Sequence, residues 1–206
     1  MKQLYKFLLQ ILKRNHHNNI GWLKVFEGKR VRLRSFELSD LDNIMQDWNK
    51  INLRRELGPV VPHSREEREE WIRKTWEDRR TGKSFAFAID DIKTGEFLGH
   101  CILANVRSIN RTASVSIAIY KEENRGKGYG TDAMMVLLEF GFEYLNLHRI
   151  GLNVFETNPQ AIRVYEKVGF TKVGVLRHTD FVEGEYVNDV AMDILEDEWR
   201  NLKNKN

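Results

Sequence analysis

A short loop with three glycines at alternate positions constrains the fold of this 206-residue chain more than any other feature. It follows a segment in which Val115, Ile117 and Ile119 alternate with small residues, a pattern that predicts a strand. It precedes a segment whose apolar residues, from Met134 to Leu145, recur at helical spacing. The sequence therefore predicts a strand, a glycine loop and a long helix in direct succession. The loop consists of Arg125, Gly126, Lys127, Gly128, Tyr129 and Gly130.

This loop has the chemistry of an anion site. Glycines allow backbone N–H groups to converge on a ligand without interference from Cβ atoms. The helix N-terminus behind them contributes partial positive charge, and Arg125 and Lys127 add full charges. A dinucleotide-binding fingerprint requires G-x-G-x-x-G, whereas the register here is G-x-G-x-G. The sequence therefore predicts a site for a diphosphate that is not a Rossmann site.

A second glycine-containing segment, Gly82-Lys83-Ser84, matches only the end of a Walker A loop. Glu77 stands where the first glycine of that motif belongs, and the order is a helix before the segment and a strand after it. We therefore exclude a P-loop.

Local signals along the rest of the chain predict about seven strands and four or five helices in mixed order. Ser64 and Glu67 form a capping box that begins one helix. Asn158 and Pro159 supply the N-cap and first position of another, which Gly169 ends. This order predicts an α/β or α+β domain built on one mixed sheet.

The charge distribution separates the beginning of the chain from the rest. Residues 1–34 carry a net charge of +8, and the remaining residues carry −5. Residues 1–20 have apolar side chains at helical spacing among basic ones, so we predict an N-terminal amphipathic extension followed by a domain over residues 21–206. We expect the extension to dock on its own domain or to form a homodimer contact. A membrane is not an expected partner, because one short helix with few charges anchors weakly.

A second motif lies downstream of the glycine loop. Asn158 and Tyr165 are seven residues apart, which is about two helical turns, so both side chains can face one cleft. Taken alone, Tyr165 also fits a core aromatic residue whose hydroxyl is satisfied. The segment from Asn158 to Phe170 has the pattern N-x-x-A-x-x-x-Y-x-x-x-G-F.

Together, the R-x-x-G-x-G loop and this second segment resemble the GNAT acetyltransferase superfamily. The resemblance covers about residues 25–197. The closing segment, from Val175 through Asp189 to Trp199, is similar to the RimJ/RimL branch, which acetylates protein N-termini, and to the spermidine acetyltransferases. The resemblance to this superfamily implies a single GNAT-like domain, with a mixed, mostly antiparallel sheet of about seven strands flanked by helices. It also implies acetyl-CoA as cosubstrate and no metal.

The same resemblance implies roles for individual residues. The backbone amides from Arg125 to Gly130 would bind the pyrophosphate of acetyl-CoA, and Asn158 would contact the cosubstrate. The strand at Ile117, Ala118 and Ile119 would part from its neighbour and pair with the pantetheine arm. Tyr165 would be the general acid that protonates the leaving thiolate, for which an ordinary tyrosine pKa near 10 is suitable.

The general base and the acceptor remain open at this stage. Many GNAT relatives carry a Glu on the strand before the glycine loop, where this chain has Ser114 and Ser116, so no base is assigned. The first expectation is acetylation of a protein or peptide N-terminal amine. A polyamine or another small amine is the alternative acceptor, and a non-catalytic acetyl-CoA-binding module is the alternative of another class.

Composition limits the remaining partners and the compartment. The single cysteine, Cys101, allows no intrachain disulfide and lies in a predicted strand, where a buried role is expected. We expect a cytoplasmic protein, since a reducing setting fits. Nucleic acid is not an expected partner, because the predicted domain is mildly acidic and lacks clustered basic residues.

Overall fold

The computed structural model describes residues 26–58 and 60–204. The predicted extension over residues 1–20, and the domain boundary that follows it, lie outside the described residues. A seven-stranded sheet with the order β1-β2-β3-β4-β5-β7-β6 forms the centre of the fold. Its strands are β1 (Val31–Arg34), β2 (Phe85–Asp91), β3 (Phe97–Arg107), β4 (Thr112–Ile119), β5 (Arg149–Phe155), β6 (Thr171–Val182) and β7 (Glu185–Leu195).

All neighbouring strands pair antiparallel except β4 and β5, which run parallel. The prediction of a mixed, mostly antiparallel sheet of about seven strands is therefore confirmed. The parallel pair divides the sheet into an N-terminal part, β1–β4, and a C-terminal part, β5–β7. The two parts are joined through the glycine loop and the helix after it.

The described residues form six α-helices, one more than the upper end of the predicted range. The predicted capping box at Ser64 is present, with the Ser64 hydroxyl accepting from the Glu67 amide at 3.1 Å. The helices are α1 (Leu41–Asp47), α2 (Ile51–Leu57), α3 (Arg65–Thr81), α4 (Tyr129–Glu139), α5 (Pro159–Val168) and α6 (Glu196–Lys203).

Sequence patterns missed α2 and α6. The first is a single short segment of seven residues, and the second follows β7 without any intervening breaker residue. In place of a serine or aspartate cap, the Glu198 carboxylate accepts the backbone N–H of Leu195 at 2.8 Å. Helix α2 therefore depends on tertiary packing more than on local signals. Helix α6 has acidic residues in its first turn and basic residues in its last turn, and these signals could have predicted it.

Two hydrophobic clusters cover the two faces of the sheet. The larger cluster packs α4 and α5 against one face, and it contains the predicted apolar side chains Met134, Leu137 and Leu138. It also contains the buried Cys101, whose thiol pKa is raised by burial, as expected of a packing residue. The second cluster packs α1–α3 against the opposite face. None of the described helices is long and apolar enough to cross a bilayer.

Candidate active site

A cleft opens where β4 and β5 part. Their pairing covers only three positions, Thr112–Ser114 with Arg149–Gly151. Beyond these positions β4 stays paired with β3 as far as Ile119, so its other edge is unpaired along the gap. The resulting cleft has a volume of about 1070 Å³. This is ample for a ligand of cofactor size, and the parting of the strand before the glycine loop is as expected.

Most of the residues predicted for the site line this cleft. Two do not. Lys127 is outside the lining, and the Tyr129 hydroxyl is turned away to the Asp91 carboxylate at 2.5 Å. Those that line it are Ile117, Ala118, Ile119, Arg125, Gly126, Gly128, Gly130, Asn158 and Tyr165.

The glycine loop is shaped for an anion by its backbone. Gly126 and Gly128 have φ angles of +71° and +88°, which are strained for other residues. Gly128 is the N-cap of α4 and supplies no side-chain cap. The first amide groups of α4 are therefore available to an anion at the cleft.

The charge that Arg125 was expected to offer to the diphosphate is largely engaged within the protein. Its guanidinium donates to the Ile119 carbonyl at 3.0 Å and to the Glu56 carboxylate at 2.7 Å. Arg125 therefore ties the loop to β4 and to α2. Arg163 and Lys167 of α5 also line the cleft and add positive charge to it.

Tyr165 lies on α5 with its ring in the larger hydrophobic cluster, edge-on to Phe170 with 5.8 Å between centroids. Its side chain lines the cleft, and among the described residues its hydroxyl has no hydrogen-bond partner. Burial raises the pKa of Tyr165 to about 12. The hydroxyl is therefore protonated throughout the physiological pH range, but it is a weaker acid than the ordinary tyrosine expected from the sequence.

Asn158 is the N-cap of α5, as predicted. Its side-chain oxygen accepts the backbone N–H of Ala161 at 3.0 Å. Pro159 follows at the first helical position, where a missing N–H has no cost. Because the oxygen is committed to the cap, the side-chain NH₂ is the group left to contact a ligand.

A bulge in β6 builds the other end of the cleft. Leu176 pairs with Asp189 and Asp180 pairs with Val187. Between these two pairs β6 has three residues and β7 has one, so β6 contains two extra residues. His178 in the bulge has a φ of 52°, and its N–H donates to the Asn188 side chain at 2.9 Å. Asp180 and Asp189 are thereby brought to one end of the cleft, and both line it.

The Asp189 carboxylate is buried, with 8% of the residue exposed. Its pKa is raised, first by burial and then by the negative charge of Asp180, while a hydrogen bond with Thr179 opposes the shift. Sequence reasoning assigned neither aspartate to the site. Their meeting depends on the bulge and on strand pairing, which no local pattern signals.

Helix α2 forms a wall over this end of the cleft. Glu56 pairs with Arg125, and Glu122 accepts the Asn52 amide at 2.6 Å. On the opposite side, Arg55 forms an ion pair with Glu183 in the β6–β7 turn. Helix α2 thus connects the glycine loop to the β6–β7 hairpin. Within the described residues, no group of three or more His, Cys, Asp or Glu side chains could hold a metal ion.

Comparison with known proteins agrees with this geometry. A model of the Acetyltransferase (GNAT) domain family matches residues 30–171. Spermidine N(1)-acetyltransferase of Vibrio cholerae is 30% identical over 174 residues, which are 84% of this chain and 98% of that enzyme. The enzyme of the same name in Escherichia coli is 35% identical over 105 residues, 51% of this chain, and the match spans about half (56%) of that enzyme's length.

Solved structures show the same relationship. The crystal structure of the Vibrio cholerae spermidine N-acetyltransferase in complex with CoA and spermine superimposes with a TM-score of 0.75 at 30% identity. The superposition covers 83% of this chain and 98% of that chain. With a matching family model over residues 30–171 and a parted β4–β5 pair beside the glycine loop, the chain belongs to the GNAT acetyltransferase family.

Proposed function

We propose that this protein transfers the acetyl group of acetyl-CoA to a primary amine of a small polycation, with a polyamine such as spermidine as the acceptor. The observation that carries the acceptor class is the carboxylate-lined end of the cleft. Asp180 and Asp189 lie there without a cationic partner among the described residues, and Glu56, which is paired with Arg125, lines the same cleft. An ammonium group is attracted to such a cluster. The names of the Vibrio cholerae and Escherichia coli relatives support the same acceptor.

The cosubstrate fits the opposite end of the cleft. Free amides at the start of α4, with the positive-φ glycines before them, suit the pyrophosphate, and Arg163 and Lys167 suit other anionic groups. The unpaired edge of β4 suits the extended pantetheine arm. Acetyl-CoA supplies the acetyl group as a thioester. Tyr165 directs its hydroxyl to the leaving sulfur, and Asn158 holds the start of α5 in place with its side-chain cap.

A protein N-terminal amine is the second candidate acceptor. Phe181 and Tyr186, on the hairpin that carries Asp180, are 64% and 65% exposed and offer apolar contacts to a peptide. A putative ribosomal N-acetyltransferase of Bacillus subtilis, YdaF, is 32% identical over 109 residues, which are 53% of this chain and 59% of that protein. The first candidate is preferred because two unpaired carboxylates suit a polycation more than a single terminal amine.

A panel of acceptors tests this proposal. Thiol release from acetyl-CoA is measured with spermidine, putrescine and short peptides that have free N-termini. We expect spermidine to give the highest kcat/KM, and we expect Asp180→Asn to raise the KM for spermidine while leaving the KM for a peptide unchanged. Preference for peptides would favour the second candidate. Binding of acetyl-CoA by calorimetry without turnover of any amine would indicate a non-catalytic module instead.

A further inference from the structure

Alternation along the strands assigns each cleft residue to one face of the sheet. In β7, Val190, Met192 and Ile194 belong to the larger cluster on the α4–α5 face. Asp189 precedes this series by one residue and therefore lies on the opposite face. The same alternation in β5, where Leu152 and Val154 belong to the larger cluster, places Asn153 on that opposite face.

Strand β4 gives the matching side of the gap. Val115 and Ile117 pack with the larger cluster, whereas Ala118 packs with the smaller one. Ser114 and Ser116 share the face of Ala118. Ser114 is the last residue of β4 to pair with β5, so Ser116 stands at the edge of the gap. Ser116, Asn153 and Asp189 thus line the cleft from one face, and Tyr165 lines it from the other.

This arrangement separates the two proton transfers that acetylation of an amine requires. An ammonium group has a pKa near 10.4, so only about one in 10³ molecules is a free amine at pH 7. As the ammonium becomes an amide N–H, it sheds two protons, of which one ends on the thiol product and one in solvent. A new C–N bond forms as the C–S bond breaks. The role proposed for Tyr165, protonation of the leaving sulfur, assigns that proton transfer to the α4–α5 face, so the acceptor of the other proton is sought on the opposite face.

We infer that Asp189 is the catalytic base, the group that takes the proton from the acceptor's ammonium nitrogen before attack and passes it to solvent. The inference rests on the proposed function, because it places the amine at the carboxylate end of the cleft. Asp189 is the buried member of the aspartate pair, whereas Asp180 is only partly buried and serves to hold the cationic acceptor.

Several other groups line the cleft with Asp189 and set its behaviour. Two groups act on the Asp189 carboxylate directly: Asp180 by its charge and Thr179, outside the lining, by a hydrogen bond. Asn153, Tyr165 and the Glu56–Arg125 pair line the same cleft. Burial and Asp180 raise the pKa of Asp189, which makes its carboxylate a stronger base than an ordinary aspartate. Because only the ionised form accepts a proton, the rate falls as pH drops through this raised pKa.

The test compares Asp189→Asn with Asp180→Asn, using the best acceptor found in the panel. We expect Asp189→Asn to lower kcat about 100-fold at pH 7, in line with the loss of one acid–base group. The loss of kcat in Asp189→Asn should shrink toward pH 10, because the amine then loses its proton to solvent. The fall in rate at low pH that the wild-type protein shows should be absent from this variant. Asp180→Asn should act mainly by raising KM, and it should move the acid limb of the kcat profile to lower pH, because the charge that raises the Asp189 pKa is gone. Asp193→Asn is the matched control, because Asp193 lies on the same strand and face but pairs with Arg149 at 2.6 Å.

A second measurement does not depend on turnover. Carbon-13 NMR of side-chain carboxyl groups in the wild-type protein should show the Asp189 resonance shifting when the acceptor is added, while the Asp193 resonance does not. An unperturbed Asp189 resonance, or a kcat within threefold of wild type in folded Asp189→Asn, would overturn the assignment. If the protein acetylates peptides and rejects polyamines, only the proposed acceptor is overturned. The Asp189→Asn and Asp180→Asn variants are then compared with the peptide as acceptor, so the assignment of the base is still tested.

Discussion

The two ends of the cleft are built in different ways. The proposed pyrophosphate site at the cofactor end is formed by consecutive residues of one strand–loop–helix unit and presents backbone groups to the ligand. The proposed acceptor end is formed by side chains from α2 and from the β6–β7 hairpin, which begins more than a hundred residues after α2. A backbone site binds one ligand and tolerates little change. A side-chain site can be altered residue by residue, which fits a family that shares a cosubstrate and varies its acceptor.

Among the changes that compare the two ends, the largest expected effect is at Tyr165, the proposed proton donor. Tyr165→Phe keeps the ring and its contact with Phe170 but removes the proton donor. We expect kcat to fall about 100-fold with little change in acetyl-CoA affinity, because the proton is needed only as the sulfur leaves. Single-turnover thiol release at saturating acetyl-CoA measures this. Tyr144→Phe, outside the cleft, is the control, and a loss below about threefold would mean that Tyr165 only packs.

The next largest effect tests whether the backbone of the glycine loop binds the cosubstrate. Gly128→Val places a β-branched residue at a φ of +88° in the middle of the loop and blocks close approach of a diphosphate. We expect acetyl-CoA binding to weaken at least about tenfold, or about 1.4 kcal/mol. Calorimetry gives the affinity. Gly95→Val, at a φ of +72° in the β2–β3 turn, carries similar backbone strain away from the cleft and should leave affinity unchanged.

The smallest expected effect tests the Glu56–Arg125 ion pair, which connects helix α2 to the glycine loop. Glu56→Gln removes one negative charge from the acceptor end and releases Arg125 from its ion pair. A loss of about 1 kcal/mol of attraction in a solvated site predicts about a fivefold rise in KM for a cationic acceptor. Acetyl-CoA affinity should stay within about threefold, and the free energy of unfolding should change by less than about 1 kcal/mol. Glu183→Gln, whose side chain pairs outside the cleft lining, is the control; equal KM values for the two variants would contradict a role for Glu56.

The difference between an end built from neighbouring residues and an end built from distant side chains explains what the sequence could predict. The glycine loop, the Asn158 cap and the capping box at Ser64 depend on neighbours within a few residues, and each is present as predicted. The order of strands and helices predicted one mixed sheet, and the family resemblance implied its mostly antiparallel pairing.

The acceptor end could not be predicted in the same way. Asp180 and Asp189 meet only because two extra residues are accommodated in β6. Glu56 is in a helix too short to give a periodic signal, and its ion pair with Arg125 spans 69 positions. The local sequence around Arg125 therefore indicates a free charge where the folded protein has a paired one.

The position of the β6–β7 hairpin has a further consequence for the history of this enzyme. β6 is one of the two edge strands of the sheet, and most of its residues are exposed. Substitutions or insertions there disturb few packed neighbours, so they carry a small penalty in folding. With the roles proposed above, selection can alter acceptor choice on this edge strand while Tyr165 stays fixed in the core. We expect natural variants with altered amine preference to differ mainly between residues 176 and 189.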